Sequence, residues 1–467
     1  MGVADCSQRE ALRAVVGLGC RFSVRYRPGG MCRQLTTDNR QRSTDNRDRR
    51  SRKRLDSARV TESPYAPLRI PDFRKLLLAN GMLTLAREAQ IVVIGWQVFE
   101  LTRDPLTLGL IGLAEALPFI AVALFAGHMA DRAERRTLAI AGTFGLVVSA
   151  LVLLTLTLTA GAISADRVWP VYLVVALSAT ARSFTRPAFF ALSAEVIPRE
   201  LYPRAIAWRT STWHLAAVLG PAAGGLLYGF AGPAAAYGVV VVAMSLSLAA
   251  VSAVTHRAKP APPAEEVPLI ESLTTGIRFV WSEPLLLGAM TLDLFAVLFG
   301  GAVALLPAFA KLLEAGPEGL GLLRAAPAIG SIATGVWLAH RAPMRHAGFA
   351  IFASVAAFGG CMILFALSRE FWLSFAVLVA SGVFDNVSVV IRSTLLQTRT
   401  PEHLLGRVSA VNQIFIGSSN EIGAFESGVA ARLLGVVPSV LFGGVMTLIV
   451  VGITAWRMPK LRQLKTI

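Results

Sequence analysis

Twelve segments of this chain are apolar for long enough to cross a lipid bilayer. They run roughly over 75–101, 106–130, 137–160, 169–192, 204–230, 233–254, 284–308, 319–340, 347–368, 371–395, 408–433 and 437–457. A helix needs about 20 residues to traverse a hydrocarbon layer of roughly 30 Å. Lipid supplies no hydrogen-bond partners, so the backbone of each segment must pair within itself, and a helix does this. The expected fold class is an all-α membrane protein of twelve transmembrane helices. Composition agrees: 54% of residues are hydrophobic and 16% charged, against about 25% charged in ordinary soluble chains. A cytosolic enzyme is excluded on that ground.

The net charge of +16 is unevenly spread. Residues 1–66 carry 15 Lys+Arg against 7 Asp+Glu, which is half of the excess. This segment is too polar to build a core. It reads as a disordered basic tail lying beside an anionic leaflet rather than as a nucleic-acid-binding element. The connecting loops alternate in charge. Arg132, Arg135 and Arg136, Arg199 and Arg204, Arg257 and Lys259, Arg341 and Arg345, and Arg399 and Arg407 fall on one side, with Arg457, Lys460, Arg462 and Lys465 in the final tail. The other side holds only Arg103, Arg167, Lys311 and Arg369. The positive-inside rule then places both termini in the cytoplasm of a multi-pass bacterial inner-membrane protein. Cys6, Cys20, Cys32 and Cys361 have no zinc or CxxC spacing and are expected as free thiols.

A Pro-rich, charged break at 256–270 divides the spans six and six, and 271–284 has the pattern of a short amphipathic interfacial helix. The expected organisation is a tail (1–66), a six-helix bundle (67–255), a cytoplasmic linker with its helix (256–283), a second six-helix bundle (284–458) and a terminal tail (459–467). The halves are related. An offset of 209 lays Gly112, Glu115 and Pro118 over Gly321, Arg324 and Pro327. An offset of 203 lays Pro198, Arg204, Ala207 and Gly225 over Pro401, Arg407, Ala410 and Gly428. Two pseudo-symmetric bundles with a pathway between them are a transporter architecture.

The loop after the second span reads Gly127-His-Met-Ala-Asp131-Arg132-Ala-Glu134-Arg135-Arg136. Gly127 permits close helix approach, Asp131 can pair with cations or a helix N-terminus, and the arginines can reach carboxylates or lipid phosphate. The loop closely resembles the G-x-x-x-D-R-x-x-R-R/K motif of the major facilitator superfamily. The resemblance implies a cytoplasmic gate made by Gly127, Asp131, Arg132, Arg135 and Arg136. Glu134 stands where that family has a second glycine, and the second-half copy is degraded to His340-Arg341-Ala-Pro-Met-Arg345. In the fifth span, Gly220-Pro221-Ala-Ala-Gly224-Gly225 resembles the superfamily's antiporter motif, associated with exporters. Pro221 removes a backbone donor and the glycines allow tight packing, so a purely packing role is an equal reading. Arg69-Ile-Pro-Asp72-Phe73-Arg74, Arg186-Pro-Ala-Phe-Phe and Ser418-Ser-Asn420-Glu421-Ile-Gly423-Ala-Phe-Glu426-Ser-Gly428 narrow the resemblance to the transmembrane secretion effector branch that includes the enterobactin exporter.

Ionisable groups at membrane depth mark pathways, because an isolated charge in hydrocarbon is costly. Arg87, Glu88, Glu115, Asp293, Arg324, Asp385, Asn386, Arg392 and Glu421 are the candidate proton and substrate pathway. Asp293, Asp385 and Glu115 are the preferred proton carriers, with Arg324 and Arg392 as cation partners. Static ion pairs that fix helix packing are the competing reading for any one of them. Arg182 and Arg186 also lie in the fourth span, and His214 in the fifth. There is no phosphate-binding G-x-x-x-x-G-K-[ST] loop, HExxH or CxxC pair, so no cofactor, metal or enzymatic activity is expected. The expected function is proton-coupled export of a small organic molecule such as a siderophore, drug or hydrophobic metabolite, by a monomer using alternating access. A proton-symport importer on the same fold and a non-transporting receptor or scaffold are the alternatives.

Overall fold

A computed structural model of the chain describes residues 63–256, 269–300, 302–340, 344 and 346–465. The tail through residue 62, with Cys6, Cys20 and Cys32, and the linker stretch 257–268 lie outside the described residues, as do Arg341 and Arg345. Among the described residues the chain is helical, with no strand.

Among the described residues fourteen α-helices follow in order. They are α1 (Pro71–Thr102), α2 (Pro105–Arg132), α3 (Arg135–Leu158), α4 (Trp169–Val196), α5 (Tyr202–Ser252), α6 (Leu269–Ser282), α7 (Pro284–Phe299), α8 (Leu306–Leu312), α9 (Gly316–Ala339), α10 (Ala347–Leu367), α11 (Phe371–Arg399), α12 (Glu402–Leu434), α13 (Val436–Arg457) and α14 (Pro459–Arg462). Proline sits in the first turn of α1, α2, α4, α5 and α7, where its missing N–H would have had no intrahelical partner. Asp104 caps α2 by accepting from the Leu106 N–H at 3.0 Å.

The fifth and sixth spans are the two arms of α5. They are separated by Gly232, at φ 79°, ψ 172°, immediately before Pro233. That backbone region is open to glycine and strained for other residues, so the chain reverses without a loop. Gly435, at φ 94°, ψ 159°, does the same between α12 and α13. The two glycines stand 203 positions apart, the offset that aligns the halves. The seventh span, expected as one run over 284–308, is broken. Helix α7 stops at Phe299, a 3-10 turn covers Ala302–Leu305, and α8 follows. Gly300 lies at the break, and Pro307 can start a helix but cannot continue one.

Among the described residues, nine helices are apolar enough to meet a strict spanning test, with α5 counted once. Helices α4 and α12 fall outside it, and they are the two that carry Arg182, Arg186, Glu421 and Glu426. These two spans supply Arg182, Arg186 and Glu421 to the charged centre described below, which α1, α2 and α9 complete.

The bundle has two ends, called near (where α1 begins) and far. At the far end the halves share a core. Val92 packs with Leu305, Leu306, Phe309, Leu320 and Phe365, and Phe99 and Leu108 pack with Ala308. Arg432 pairs with Asp104 there at 3.2 Å. Toward the near end the cores are separate. One holds Leu76, Leu138, Leu192 and Val251; the other holds Leu286, Ile351, Leu395, Val408 and Leu461. A polar clasp ties the near end of the first half. Asp72 accepts from the Thr255 N–H, the Thr255 hydroxyl (2.7 Å) and the His256 N–H (3.0 Å), while Lys75 donates to the Ala253 carbonyl at 2.7 Å.

Candidate functional site

Seven ionisable side chains converge between the halves. Arg87 and Glu88 come from α1, Glu115 from α2, Arg182 and Arg186 from α4, Arg324 from α9 and Glu421 from α12. Small residues bring them together. A Cβ on Gly112 would lie 3.1 Å from the Glu421 carbonyl, and one on Gly109 would lie 3.0 Å from the Gly428 Cα. Helices α2 and α12 therefore touch backbone to backbone, one turn from both carboxyl groups.

The centre of the cluster is a bridge across the halves. Arg182 reaches Glu115 with one nitrogen at 3.5 Å and Glu421 with another at 3.7 Å. Glu115 and Glu421 therefore share one guanidinium as their common partner. Beside it, Arg87 donates to Glu88 at 3.1 Å. Arg324 has Glu88, Glu115, Glu421 and Arg87 as charged neighbours, yet its Nε is buried with no hydrogen-bond partner. Arg186 lies one turn from Arg182 toward the near end and is exposed; its charged neighbours are Arg87 and Arg182.

Asp293, Asp385, Asn386 and Arg392 form a separate group inside the second half. Asp293 is buried in an ion pair with Arg392. Asp385 and Asp293 line a cavity of about 10 Å³ with Ser388 and Phe358, room for one water. Asn386 donates to the Ser331 carbonyl at 3.0 Å, tying α11 to α9. The nine pathway candidates thus divide into an inter-half centre and an intra-half one.

The glycine motif of α5 is a packing hub. A Cβ on Gly220 would lie 2.7 Å from the Glu88 Cβ, and one on Gly224 2.7 Å from the Ala89 carbonyl, so both seat α5 on α1. Gly225 faces the other way; its Cβ would lie 2.9 Å from the Gly321 Cα, joining the first half to the second. The Pro221 carbonyl abuts Gly321 as well. In the gate motif, Arg135 pairs with Glu195 at 2.7 Å. Arg136 donates to the Val254 and Ser252 carbonyls at 2.7 and 2.6 Å. Both contacts stay within the first half. Gly127 lies in α2, and the side chains of Asp131 and Arg132 lie outside the described residues.

Sequence reasoning noted Arg182 as a membrane-depth charge but did not select it as the partner of Glu115. Its signal was the four-residue spacing to Arg186, which puts both guanidinium groups on one helix face. Asp72, part of a quoted motif, had no assigned role; the clasp on residues 253–256 gives it one.

The description of the transmembrane secretion effector family matches residues 62–466. The chain belongs to that family. It is 27% identical over 387 residues to the enterobactin exporter EntS of Shigella flexneri and to that of Escherichia coli O1:K1 / APEC, covering 81% of this chain and 90% of each relative. Among solved structures it is similar to the nucleoside transporter NupG, with TM-score 0.63 and 11% identity, over 82% of this chain and 99% of that one. A bacterial homologue of the human lysosomal transporter Spinster aligns with TM-score 0.62 and 12% identity, over 84% and 98% of the two chains. The fold is that of the major facilitator superfamily: an all-α membrane protein of twelve helices in two pseudo-symmetric bundles. The chain is a secondary transporter of a small molecule, with homology to an exporter, and not an enzyme.

Proposed function

We propose that this transporter exports a small organic molecule in exchange for protons, with the near end in the cytoplasm of a bacterial inner membrane. The basic side chains gathered at the near end (Arg74, Lys75, Arg135, Arg136, Lys460 and Arg462) support that orientation. The observation that carries the reading is the bridge from Arg182 to Glu115 at 3.5 Å and to Glu421 at 3.7 Å, in which the two carboxyl groups would hold a proton between them. It joins α2 to α12 across the two halves, beside the small-residue contact that helps close the far end. Loss of the proton leaves two carboxylates facing each other, with Arg182 as their shared counter-ion. Repulsion then favours separation of α2 from α12 and opening of the far end. A proton taken from the far side restores the contact. Each cycle moves a proton from far to near and leaves substrate at the far side, which is alternating access. Arg87, Glu88 and Arg324 complete the centre. Asp293 with Arg392, and Asp385, are a second place where a proton could be held.

The test uses everted vesicles energised by a pH gradient, with a panel of siderophores and lipophilic dyes as substrates. Glu421→Gln keeps a hydrogen-bonding amide but cannot titrate. It is expected to abolish gradient-driven accumulation while preserving substrate exchange without a gradient. Asp293→Asn, measured in parallel, reports on the second centre. Undiminished gradient-driven accumulation in Glu421→Gln would remove the pair from the coupling mechanism.

A further inference from the structure

The inter-half centre has an unbalanced charge. Four guanidinium groups (Arg87, Arg182, Arg186 and Arg324) gather around three carboxyl groups (Glu88, Glu115 and Glu421). Arg87 is matched by Glu88, and Arg182 by the carboxyl pair. Among the described residues Arg186 has no ion pair, and its charged neighbours are Arg87 and Arg182. Arg324 keeps a buried Nε with no acceptor among the described residues. An uncompensated cation at membrane depth is costly, and Arg186 is exposed. One turn further on along the same face of α4 stands Phe190, which is 66% exposed. The Arg209 guanidinium lies over its ring at 5.3 Å and, among the described residues, has no ion pair. A row of guanidinium groups with an aromatic face among them therefore leads from the near side to the centre.

We propose that the transported molecule carries a negatively charged group, a carboxylate or an acidic phenol, that docks on Arg186 and Arg324 while Phe190 receives its apolar part. Planar guanidinium forks suit such groups. The count is also consistent with proton exchange. With both central carboxyls ionised and one monoanion bound, four positive and four negative groups are present and the loaded centre is neutral. The empty, protonated centre carries excess positive charge, which an inside-negative potential draws toward the near side. Export would then be electrogenic.

This inference rests on the export reading for its direction, but its test does not. Purified protein in phosphatidylcholine nanodiscs is titrated by equilibrium dialysis with 2-naphthoate and with 2-naphthylmethylammonium, two probes of similar size and opposite charge. Naphthoate is expected to bind saturably and the ammonium probe at least tenfold more weakly. Arg186→Gln is expected to weaken naphthoate binding roughly ten- to hundredfold, the range for one hydrogen bond to a charged group, and Arg186→Lys to restore most of it. Thermal melting checks that each variant is folded, and Arg324→Gln provides a second, independent loss. Absent naphthoate saturation, equal binding of the two probes, or wild-type affinity in both Gln variants overturns the proposal. If naphthoate binds as expected but a proton gradient drives no transport in vesicles, the coupled-export reading fails and the anion site stands.

Discussion

The far-end closure makes a quantitative prediction. At Gly428 an added Cβ would lie 2.6 Å from the Gly109 Cα and 2.8 Å from its nitrogen. Unstrained carbon contacts sit at about 3.5–4.0 Å, so Gly428→Ala requires α2 and α12 to part by about 1 Å. The obstructing atoms are backbone and cannot rotate away. Overpacking of this kind costs about 1–3 kcal/mol. The cost falls on the far-closed state, because the contact is absent once the halves separate there. The balance between states should shift roughly five- to hundredfold toward far-open. Leu108, 4% exposed in the far-end core, supplies the reporter. With Cys6, Cys20, Cys32 and Cys361 replaced by serine, a Leu108→Cys variant is labelled with a membrane-impermeant maleimide. Its rate should rise five- to hundredfold when Gly428→Ala is added, and similarly with Gly225→Ala, whose Cβ meets Gly321 of the other half. Gly224→Ala is the control. It collides with Ala89 within the first half, so it should lower the melting temperature without raising the labelling rate. Unchanged labelling in Gly428→Ala, or an equal rise in Gly224→Ala, would refute the assignment of these glycines to the closure.

Two further outcomes are expected. Arg392→Ala leaves Asp293 buried without its cation and should destabilise the second half by about 3–5 kcal/mol; the double variant Arg392→Met with Asp293→Leu should recover most of the melting temperature, and failure to recover would mean the pair does more than balance charge. Alanine at Gly232 or Gly435 must adopt a backbone conformation that costs about 1–3 kcal/mol, so each should lower thermal stability by a similar amount, whereas alanine at Gly238, where a Cβ meets nothing within 4 Å, should be neutral or stabilising.

Much of the fold was legible one segment at a time. The start and end of α3, α9, α10 and α13 lie within about three residues of the expected apolar runs. The offset linking Gly225 to Gly428 proved to link Gly232 to Gly435 as well. The break after Phe299 was not legible, because the run through residue 308 stays apolar and only backbone geometry distinguishes a continuous helix from a turn. At the site, a search for charge within the apolar spans selected Glu115, Glu421 and Arg324, which the structure brings near one another. It placed them in one set with Asp293, Asp385, Asn386 and Arg392, which sit elsewhere. It also treated the glycines of α5 as one motif, whereas Gly224 and Gly225 face different halves of the molecule.

The division has a physical cause. Transfer of a side chain or peptide group from water to lipid depends on that group and its neighbours along the chain. Sequence by itself therefore determined that the chain spans a membrane as helices, that the halves are duplicates, and which residues could not remain at that depth without a reason. Pairing depends on how each helix is rotated about its axis and which distant helix it meets. Glu115, Arg182 and Glu421 are far apart in sequence, and only the close approach of α2 and α12 over Gly109, Gly112, Ala424 and Gly428 made them one centre. The lone position of Arg186 was decided in the same way, by where its neighbours' side chains came to rest.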